Sequence, residues 1–368
     1  MTHLCLVSDQ PVPNLLPALE SNPAIKPDRV VLAVSAKMRQ KASFLEQAFT
    51  ARKIACEILD VKDPYNLPEL QQTFINWLDP RANEAVVLNV TGGTKPMAIA
   101  AQEAFRMAGK PVFYVNIASD EIVWLDASRP SCRMEKSLPL KTYFQIHGYT
   151  MDEERRNMPE KWSAFCKELT GHATQWQQAL AKLNWHAMQA ERRDVLDEGR
   201  IADGGSHWDE MMEQLYYNEI IRDRTRLHFK SAKARAFANG GWIEWQVYET
   251  VRSLAGVIDP TLNLQIADAA GNKNELDVAF LCRNRLFIIE CKTKHLDRNA
   301  DDFHGPAAEA VYKLDALLKT GGIRTKGILV SFMPVGANHK HRAEAAGITV
   351  IDQGGLPRLK ELLTTAIK

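Results

Sequence analysis

The residues that carry the most chemistry lie in two apolar runs, Asn274-Glu275-Leu276-Asp277-Val278-Ala279-Phe280 and Leu286-Phe287-Ile288-Ile289-Glu290-Cys291-Lys292. Each reads as a β-strand. Glu290 and Lys292, two residues apart, share one face at roughly 6 to 7 Å along the backbone, with Ile289 and Cys291 on the other. Charged groups in an otherwise buried strand cost free energy unless something binds them, and a divalent cation held by Asp277 and Glu290 would offset that cost. Hydrolysis of a phosphodiester needs a hard cation to polarise the phosphate and acidify a bound water, and carboxylate oxygens suit Mg²⁺ or Mn²⁺. Lys292 would orient the attacking water or stabilise the charge that develops on the phosphate. The further carboxylate expected at the metal is Glu244, at the start of a helical stretch from Trp245 to Leu254, with Glu249 as the weaker choice.

A lone Glu-x-Lys on a strand is ordinarily a solvated cross-strand ion pair. Here the strand is apolar on both faces, Asp277 lies a hairpin's length upstream through Arg283-Asn284-Arg285, and a Trp-x-Glu helix precedes both. With Asp277 at the Asp position and Glu290-Cys291-Lys292 at the (D/E)xK position, the segment resembles the PD-(D/E)xK superfamily of restriction-endonuclease-like nucleases. Leu276 stands where that family's name has a proline, as in many of its members.

A second constellation is Asn89-Val90-Thr91-Gly92-Gly93-Thr94-Lys95-Pro96-Met97, between an apolar strand and the helix Ala98 to Met107. Two glycines let the backbone approach a ligand, Thr91 and Thr94 offer hydroxyls, Lys95 a full charge, and the helix start unpaired N–H groups. Pro96 sits where the missing N–H costs nothing. The pattern predicts a phosphate cradle, but it is neither of the glycine motifs of nucleoside triphosphate or dinucleotide sites. A tight turn that uses its glycines for itself is the alternative. Ser8-Asp9-Gln10-Pro11-Val12-Pro13-Asn14 after the first strand, and Ser35 after the second, are further candidate walls of the same site.

These segments need a scaffold, and the pattern from residue 1 to 126 supplies one. Short apolar runs (His3–Val7, Arg29–Val34, Ala55–Asp60, Ala85–Val90, Pro111–Asn116) alternate with amphipathic stretches near 13–21, 37–52, 66–79 and 95–108. That alternation predicts a parallel sheet with helices on both faces, in which ligands bind beyond the C-terminal strand ends. A hairpin near Glu121–Leu125 and Arg133–Ser137 extends the expected sheet. Thr-Gly-Gly-Thr-Lys-Pro-Met after the fourth strand, with Ser-x-Gln-Pro-x-Pro-Asn after the first, resembles CARF domains, the CRISPR-associated Rossmann folds that sense cyclic oligoadenylates. The resemblance implies that Ser8, Gln10, Pro11, Asn14, Ser35, Thr91, Gly92, Gly93, Thr94, Lys95 and Met97 line the ligand site.

At 368 residues, with 45% hydrophobic and 25% charged side chains, the chain has material for two or three domains. The reading divides it at 1–145, 146–235 and 236–368: an α/β Rossmann-like sensor, a helical connector, and a restriction-endonuclease-like α/β domain. No apolar run approaches the roughly 18 to 20 residues of a membrane span, and the N-terminus enters a strand without a signal-like segment, so a cytoplasmic protein is expected. Six cysteines without C-x-x-C spacing support neither a zinc site nor a disulfide framework. Net charge is +1, and the local exception is Arg222, Arg224, Arg226, Lys230, Lys233 and Arg235, which read equally as phosphate contacts or as a solvated face. The connector carries helices at Trp162–Leu169, Thr174–Gln189 and Trp208–Ile221, whose tryptophans read as packing residues. A short strand at Arg226–Lys230 would make it winged-helix-like. Beyond the catalytic strands, Lys294 and His304 are placed to touch substrate, and helices and strands at 307–319, 326–330, 337–346 and 348–351 complete the last domain.

Both halves in this order look like the CARF plus PD-(D/E)xK effector nucleases of type III CRISPR defence. That resemblance implies a homodimer binding one cyclic tetra-adenylate between its CARF domains, the two-fold ligand matching a two-fold interface. It also implies a nuclease using Mg²⁺ or Mn²⁺ on single-stranded DNA, RNA or nicked duplex. A constitutive restriction- or repair-type nuclease with a dimerising N-terminal domain, and a non-enzymatic ligand-sensing nucleic-acid binder, are the alternatives the residues leave open.

Overall fold

The computed structural model describes residues 1–126, 129–152, 158–202, 205–293 and 306–368, leaving aside the side chains of Pro306 and Ala307. Five parallel strands come first: β1 (Thr2–Leu6), β2 (Arg29–Ser35), β3 (Ala55–Val61), β4 (Val86–Asn89) and β5 (Val112–Asn116). Helices Arg39–Thr50, Leu67–Leu78 and Lys95–Met107 connect them close to the expected positions. The first expected helix, near 13–21, is instead an α turn (Val12–Leu15) run into a 3-10 turn (Leu16–Leu19), since Pro17 lacks the N–H that would continue the ladder. The antiparallel strands β6 (Glu121–Trp124) and β7 (Cys132–Arg133) extend the edge.

The strand order β3-β2-β1-β4-β5-β6-β7 puts β1 between β2 and β4. Connections run outward in opposite directions from that pair, so a crevice opens beyond the C-terminal ends of β1 and β4. Alternate residues feed two cores: Cys5, Leu32, Val87 and Phe113 on one face, Leu4, Leu6, Val31 and Leu88 on the other. This is why the strands read as continuous apolar runs.

The second sheet has the order β13-β12-β11-β10-β9-β8. Its strands are β8 (Tyr149–Asp152), β9 (Val257–Asp268), β10 (Lys273–Cys282), β11 (Arg285–Lys292), β12 (Lys326–Ser331) and β13 (Ile348–Ile351). The antiparallel β10–β11 hairpin turns through Arg283 and Asn284, both left-handed (φ 51 and 51), the geometry that suits a two-residue hairpin. β11, β12 and β13 run parallel. The long strand β9 was not expected, although Leu262, Leu264 and Ile266 alternate with Asn263 and Gln265 in a legible period of two.

Helices Glu160–Gly171, Gln177–Arg192 and Trp208–Tyr217 share one core with Val278, Phe280, Phe287 and Ile289, and helix Trp242–Arg252 lies between Glu160–Gly171 and strands β9, β10 and β11. β8, at the start of the same stretch, adds to that sheet's edge. Trp162, Trp176 and Trp208 are buried helix-packing residues, whereas Trp185 is 52% exposed. At Arg226–Lys230 there are only the isolated bridges Asp197–His228 and Ile221–Phe229 in place of a strand.

The other face of the second sheet meets the first lobe. Leu264, Ile266, Leu276, Leu286 and Ile288 join the cluster that holds Leu140, Phe144 and Ile146. Polar ties cross the same boundary: Leu138 N–H donates to Asn284 Oδ1 (3.0 Å), Asn284 Nδ2 to Asp120 Oδ1 (3.1 Å), Leu140 N–H to Asp259 Oδ2 (2.9 Å), and the Tyr143 hydroxyl to the Gly321 carbonyl (2.8 Å). Among the described residues no helix is long and apolar enough to cross a membrane.

Gly92 shows how tightly the crevice is built: a Cβ there would lie 2.0 Å from the Leu6 carbonyl oxygen, backbone that cannot give way. Gly109, with φ +65, has nothing within 4 Å of its would-be Cβ. Gly92→Ala is therefore expected to cost more than about 3 kcal/mol of stability in urea unfolding, and Gly109→Ala only about 1 kcal/mol. Similar losses for the two variants would mean that the close approach to Leu6 is not what Gly92 is there for.

Candidate functional site

The β10–β11 ladder ends where Val278 pairs with Ile289, and Asp277 and Glu290 are the residues just beyond that last pair on the two strands. Leu276 and Val278 belong to different cores, which marks a local break in the strand's alternation at Asp277. The partner strand shows the same break. Leu276 pairs with Leu264 and Val278 with Leu262, while Asn263 between them takes a left-handed φ of 51. Its side chain then donates to Glu244 Oε2 (3.1 Å) and Glu275 Oε1 (3.2 Å). Asn263 is a site residue that the motif gave no reason to expect.

Glu290 is fully buried on the β11 face that also carries Leu286 and Ile288. Lys292 Nζ donates to its Oε1 at 2.5 Å, and Lys313 Nζ, from helix Pro306–Leu318, donates to both oxygens at 2.8 and 3.0 Å. Lys313 lies outside any Glu-x-Lys spacing and was not anticipated. Asp277, also buried, accepts the Cys291 N–H at Oδ2 (2.6 Å).

Burial, reinforced by the nearby Glu290 and Glu244 carboxylates, pushes the Asp277 carboxyl up to about 8. Burial works against the charge of Lys292, but the Glu290 and Asp277 carboxylates outweigh it and hold the ammonium above the usual lysine range. Lys292 is thus a cation at neutral pH.

Glu244 opens helix Trp242–Arg252 and is close enough to act on Asp277, yet its carboxylate is tied to Asn263. It lines a cavity of about 250 Å³ with Trp245, Asn263, Phe237 and Lys233. Glu249 pairs with Arg252 (2.7 Å) instead. Among the described residues no three His, Cys, Asp or Glu side chains converge as a ready metal cage; Glu290 and Glu244 both lie close enough to act on Asp277, Glu290 more strongly. Lys294 and His304 lie outside the described residues.

The basic cluster is largely absorbed. Arg224 meets Glu213 (3.4 Å), Arg226 meets Asp197 (2.8 Å), Lys230 meets Glu219 (3.8 Å), and Arg235 is buried against the Val195 carbonyl (2.8 Å). Arg222 likewise donates to the Lys230 carbonyl (3.2 Å), so the cluster is engaged with its own neighbours.

In the first lobe the two candidate loops do converge. The would-be Cβ of Gly92 lies 3.2 Å from Ser8 Oγ, and Gly93 takes the left-handed φ +74 that the turn requires. Asn89 braces both loops, donating to the Pro13 carbonyl (2.9 Å) and accepting the Thr91 hydroxyl (2.7 Å), while Thr91 Oγ1 accepts from Val115 N–H (2.8 Å). Thr94 caps the following helix at Met97 N–H (3.3 Å) and donates to the Pro64 carbonyl (2.6 Å). Lys95 is exposed at the helix start, whereas the Met97 side chain is buried in the core beneath it. Asn14 is buried and donates to the Leu6 carbonyl (3.1 Å), and Ser35 is buried at the end of β2. Gln10 and Pro11 line a cavity of about 630 Å³ between the lobes, shared with Lys41, His147, Asp315 and Gly322. Glycine, hydroxyl and amide groups thus build the crevice walls, with Lys95 as the exposed charge beside it.

Residues 2–143 match the family described as the Card1 CARF domain, and residues 231–367 match the Card1-like endonuclease domain. No curated protein matches the chain. Among solved structures, protein VC1899 from Vibrio cholerae is similar over 100% of this chain and 97% of its own, with a TM-score of 0.89 and 25% identity. Can2 from Sulfobacillus thermosulfidooxidans, solved in complex with cyclic tetra-adenylate, is similar over the same shares, with a TM-score of 0.82 and 29% identity. A type III CRISPR defence DNA nuclease activated by cyclic oligoadenylate shares the fold over 90% of this chain and 45% of its own, with a TM-score of 0.56 and 18% identity. With a sensor domain of one kind ahead of a nuclease domain of the other, the chain belongs to the Card1-like CARF-domain endonucleases.

Proposed function

We propose that this endonuclease acts in type III CRISPR antiviral defence, as a PD-(D/E)xK enzyme that cuts nucleic acid with Mg²⁺ or Mn²⁺ when cyclic tetra-adenylate binds its CARF domain. The observation that carries the catalytic half is the buried Asp277–Glu290 pair, neighbours across antiparallel strands with Lys292 beside them. Two carboxylates crowded until one favours its proton fit a hard cation, which competes for the same oxygens. Asp277 and Glu290 would supply the carboxylate oxygens that suit such a cation.

The cation supplies Lewis acidity to the phosphate and its attacking water. Asp277 and Glu290 hold it, and the Cys291 N–H fixes the Asp277 carboxylate. Lys292, kept protonated by the carboxylates, acts as an electrostatic stabiliser of the phosphate charge and not as a base. Glu244 contributes through Asn263 or after a rotamer change.

The sensing half is supported by the switch-point crevice, the approach of Ser8 to Gly92, and the cyclic tetra-adenylate bound in the structural neighbour Can2. A two-fold ligand suits a homodimer in which each protomer's loop takes half. Ligand binding then favours one arrangement of the nuclease domains.

Cleavage of labelled single-stranded DNA, RNA and supercoiled plasmid in Mn²⁺, with and without cyclic tetra-adenylate, tests the whole reading. Ligand-dependent cleavage supports it and names the substrate. Equal cleavage without ligand would reduce the CARF domain to a scaffold.

Glu290→Ala is expected to abolish cleavage while leaving cyclic tetra-adenylate affinity within about twofold, by calorimetry. Retained cleavage would remove the site assignment. Lys95→Ala, at an exposed position, is the clean probe of the crevice, with ligand affinity falling about tenfold at unchanged stability. A Gly92 variant cannot serve there, because it disturbs the fold.

Asp277 binds its proton more tightly folded than unfolded. The stability this gives the metal-free protein is complete below the unfolded value near 3.8 and is lost as pH rises through about 8. Asp277→Asn should therefore abolish cleavage yet raise stability in EDTA at pH 8 by about 1 to 3 kcal/mol, a gain that vanishes near pH 4. A destabilised Asn variant at pH 8 would contradict the buried-repulsion account.

A further inference from the structure

Lys313 places a second ammonium on Glu290, bonding both carboxylate oxygens at 2.8 and 3.0 Å while Lys292 holds Oε1. A cation entering the site must compete with Lys313 for those oxygens. Lys313 is 44% exposed, so its long side chain can swing into solvent without opening a core.

The helix that carries Lys313 is fastened to the sensor lobe just beyond its end. The Tyr143 hydroxyl donates to the Gly321 carbonyl at 2.8 Å. At Gly322 an added Cβ would lie 3.1 Å from Gln10 Nε2 and 3.4 Å from His147 Nε2. Gln10 belongs to the loop that leaves β1 at the switch-point crevice, and its buried Nε2 has no hydrogen-bond partner among the described residues. Asp315, Leu318 and Lys319, at the end of the helix and just past it, line the cavity of about 630 Å³ that Asp9, Gln10 and Pro11 line from the sensor side. That cavity leaves room for the helix end to move.

Resting on the activation reading above, we infer that Lys313 is a positioning residue that keeps Glu290 from the divalent cation in the ligand-free protein, and that displacement of the Ser8–Asn14 loop by the ligand shifts the helix and releases Glu290. The sensor then controls cation affinity at the active site through one helix.

Calorimetric Mn²⁺ titrations of full-length wild type, Lys313→Met and Lys313→Arg, with and without cyclic tetra-adenylate, test this. Ligand-free Lys313→Met is expected to bind Mn²⁺ about tenfold more tightly than wild type, and Lys313→Arg within about threefold of it. With ligand bound, the gap between Lys313→Met and wild type should close to about threefold or less. Ligand-free cleavage by Lys313→Met should rise about tenfold. A gap that persists undiminished with ligand would make Lys313 a static charge, and ligand-free Mn²⁺ affinity unchanged or weakened in Lys313→Met would mean no competition; either result overturns the proposal. A wild type that neither binds nor responds to cyclic tetra-adenylate would overturn the activation reading instead, while the ligand-free comparison would still decide whether Lys313 competes with the cation.

Discussion

The structure is organised around two carboxylates that an apolar sheet would ordinarily expel. Glu290 has no solvent exposure, and Asp277 is buried on the neighbouring strand just beyond the last pair of the β10–β11 ladder. An unpaired charge in such a place costs several kcal/mol. Lys292, Lys313 and the Cys291 N–H lower that cost without removing it, and Asp277 accordingly favours its proton. The strain is local: the break in alternation at Asp277 and the left-handed Asn263 across from it are where the ladder yields. Such a site is destabilising for the fold, and any partner that binds only the folded protein there would offset that cost.

The same sheet is also the floor on which the sensor lobe rests. One face of β10 and β11 packs with the helix Leu140–Ile146, and the hairpin turn at Asn284 is hydrogen-bonded to Leu138 and Asp120. The opposite face is covered by helix Trp242–Arg252, which contacts β9, β10 and β11 and in turn packs against helix Glu160–Gly171. The nuclease strands are therefore clamped between their own helices and the sensor. Between crevice and nuclease strands lie the specific hydrogen bonds of that interface and a cavity of about 630 Å³.

Much of this was legible in the residues. The parallel strands announced themselves as apolar runs because both sheet faces are covered, and the Glu-x-Lys face of β11 follows from the two-residue period alone. β9 is equally legible in its alternation, with Leu262, Leu264 and Ile266 set against Asn263 and Gln265. Thr94 reads as a ligand hydroxyl from its position and proves to be a helix cap, a role that Thr before a helix commonly takes. Met97 follows the same loop, but the helical turn carries its side chain into the core.

Other parts had no local signal. Lys313 comes 23 residues after Glu290 in an amphipathic helix, and only the packing of that helix against β11 brings the two within hydrogen-bond distance. The need for glycine at position 92 comes from the Leu6 carbonyl, 86 positions upstream by the numbering of the chain. By itself the sequence determined the local periods, the turn residues and which side chains are candidates for chemistry, because these depend on backbone sterics and side-chain chemistry within a few residues. Which charges share a carboxylate, which hydroxyls turn inward and which loop leans on which helix were decided only by the tertiary structure, because burial and Coulomb interactions depend on distance in space and not along the chain.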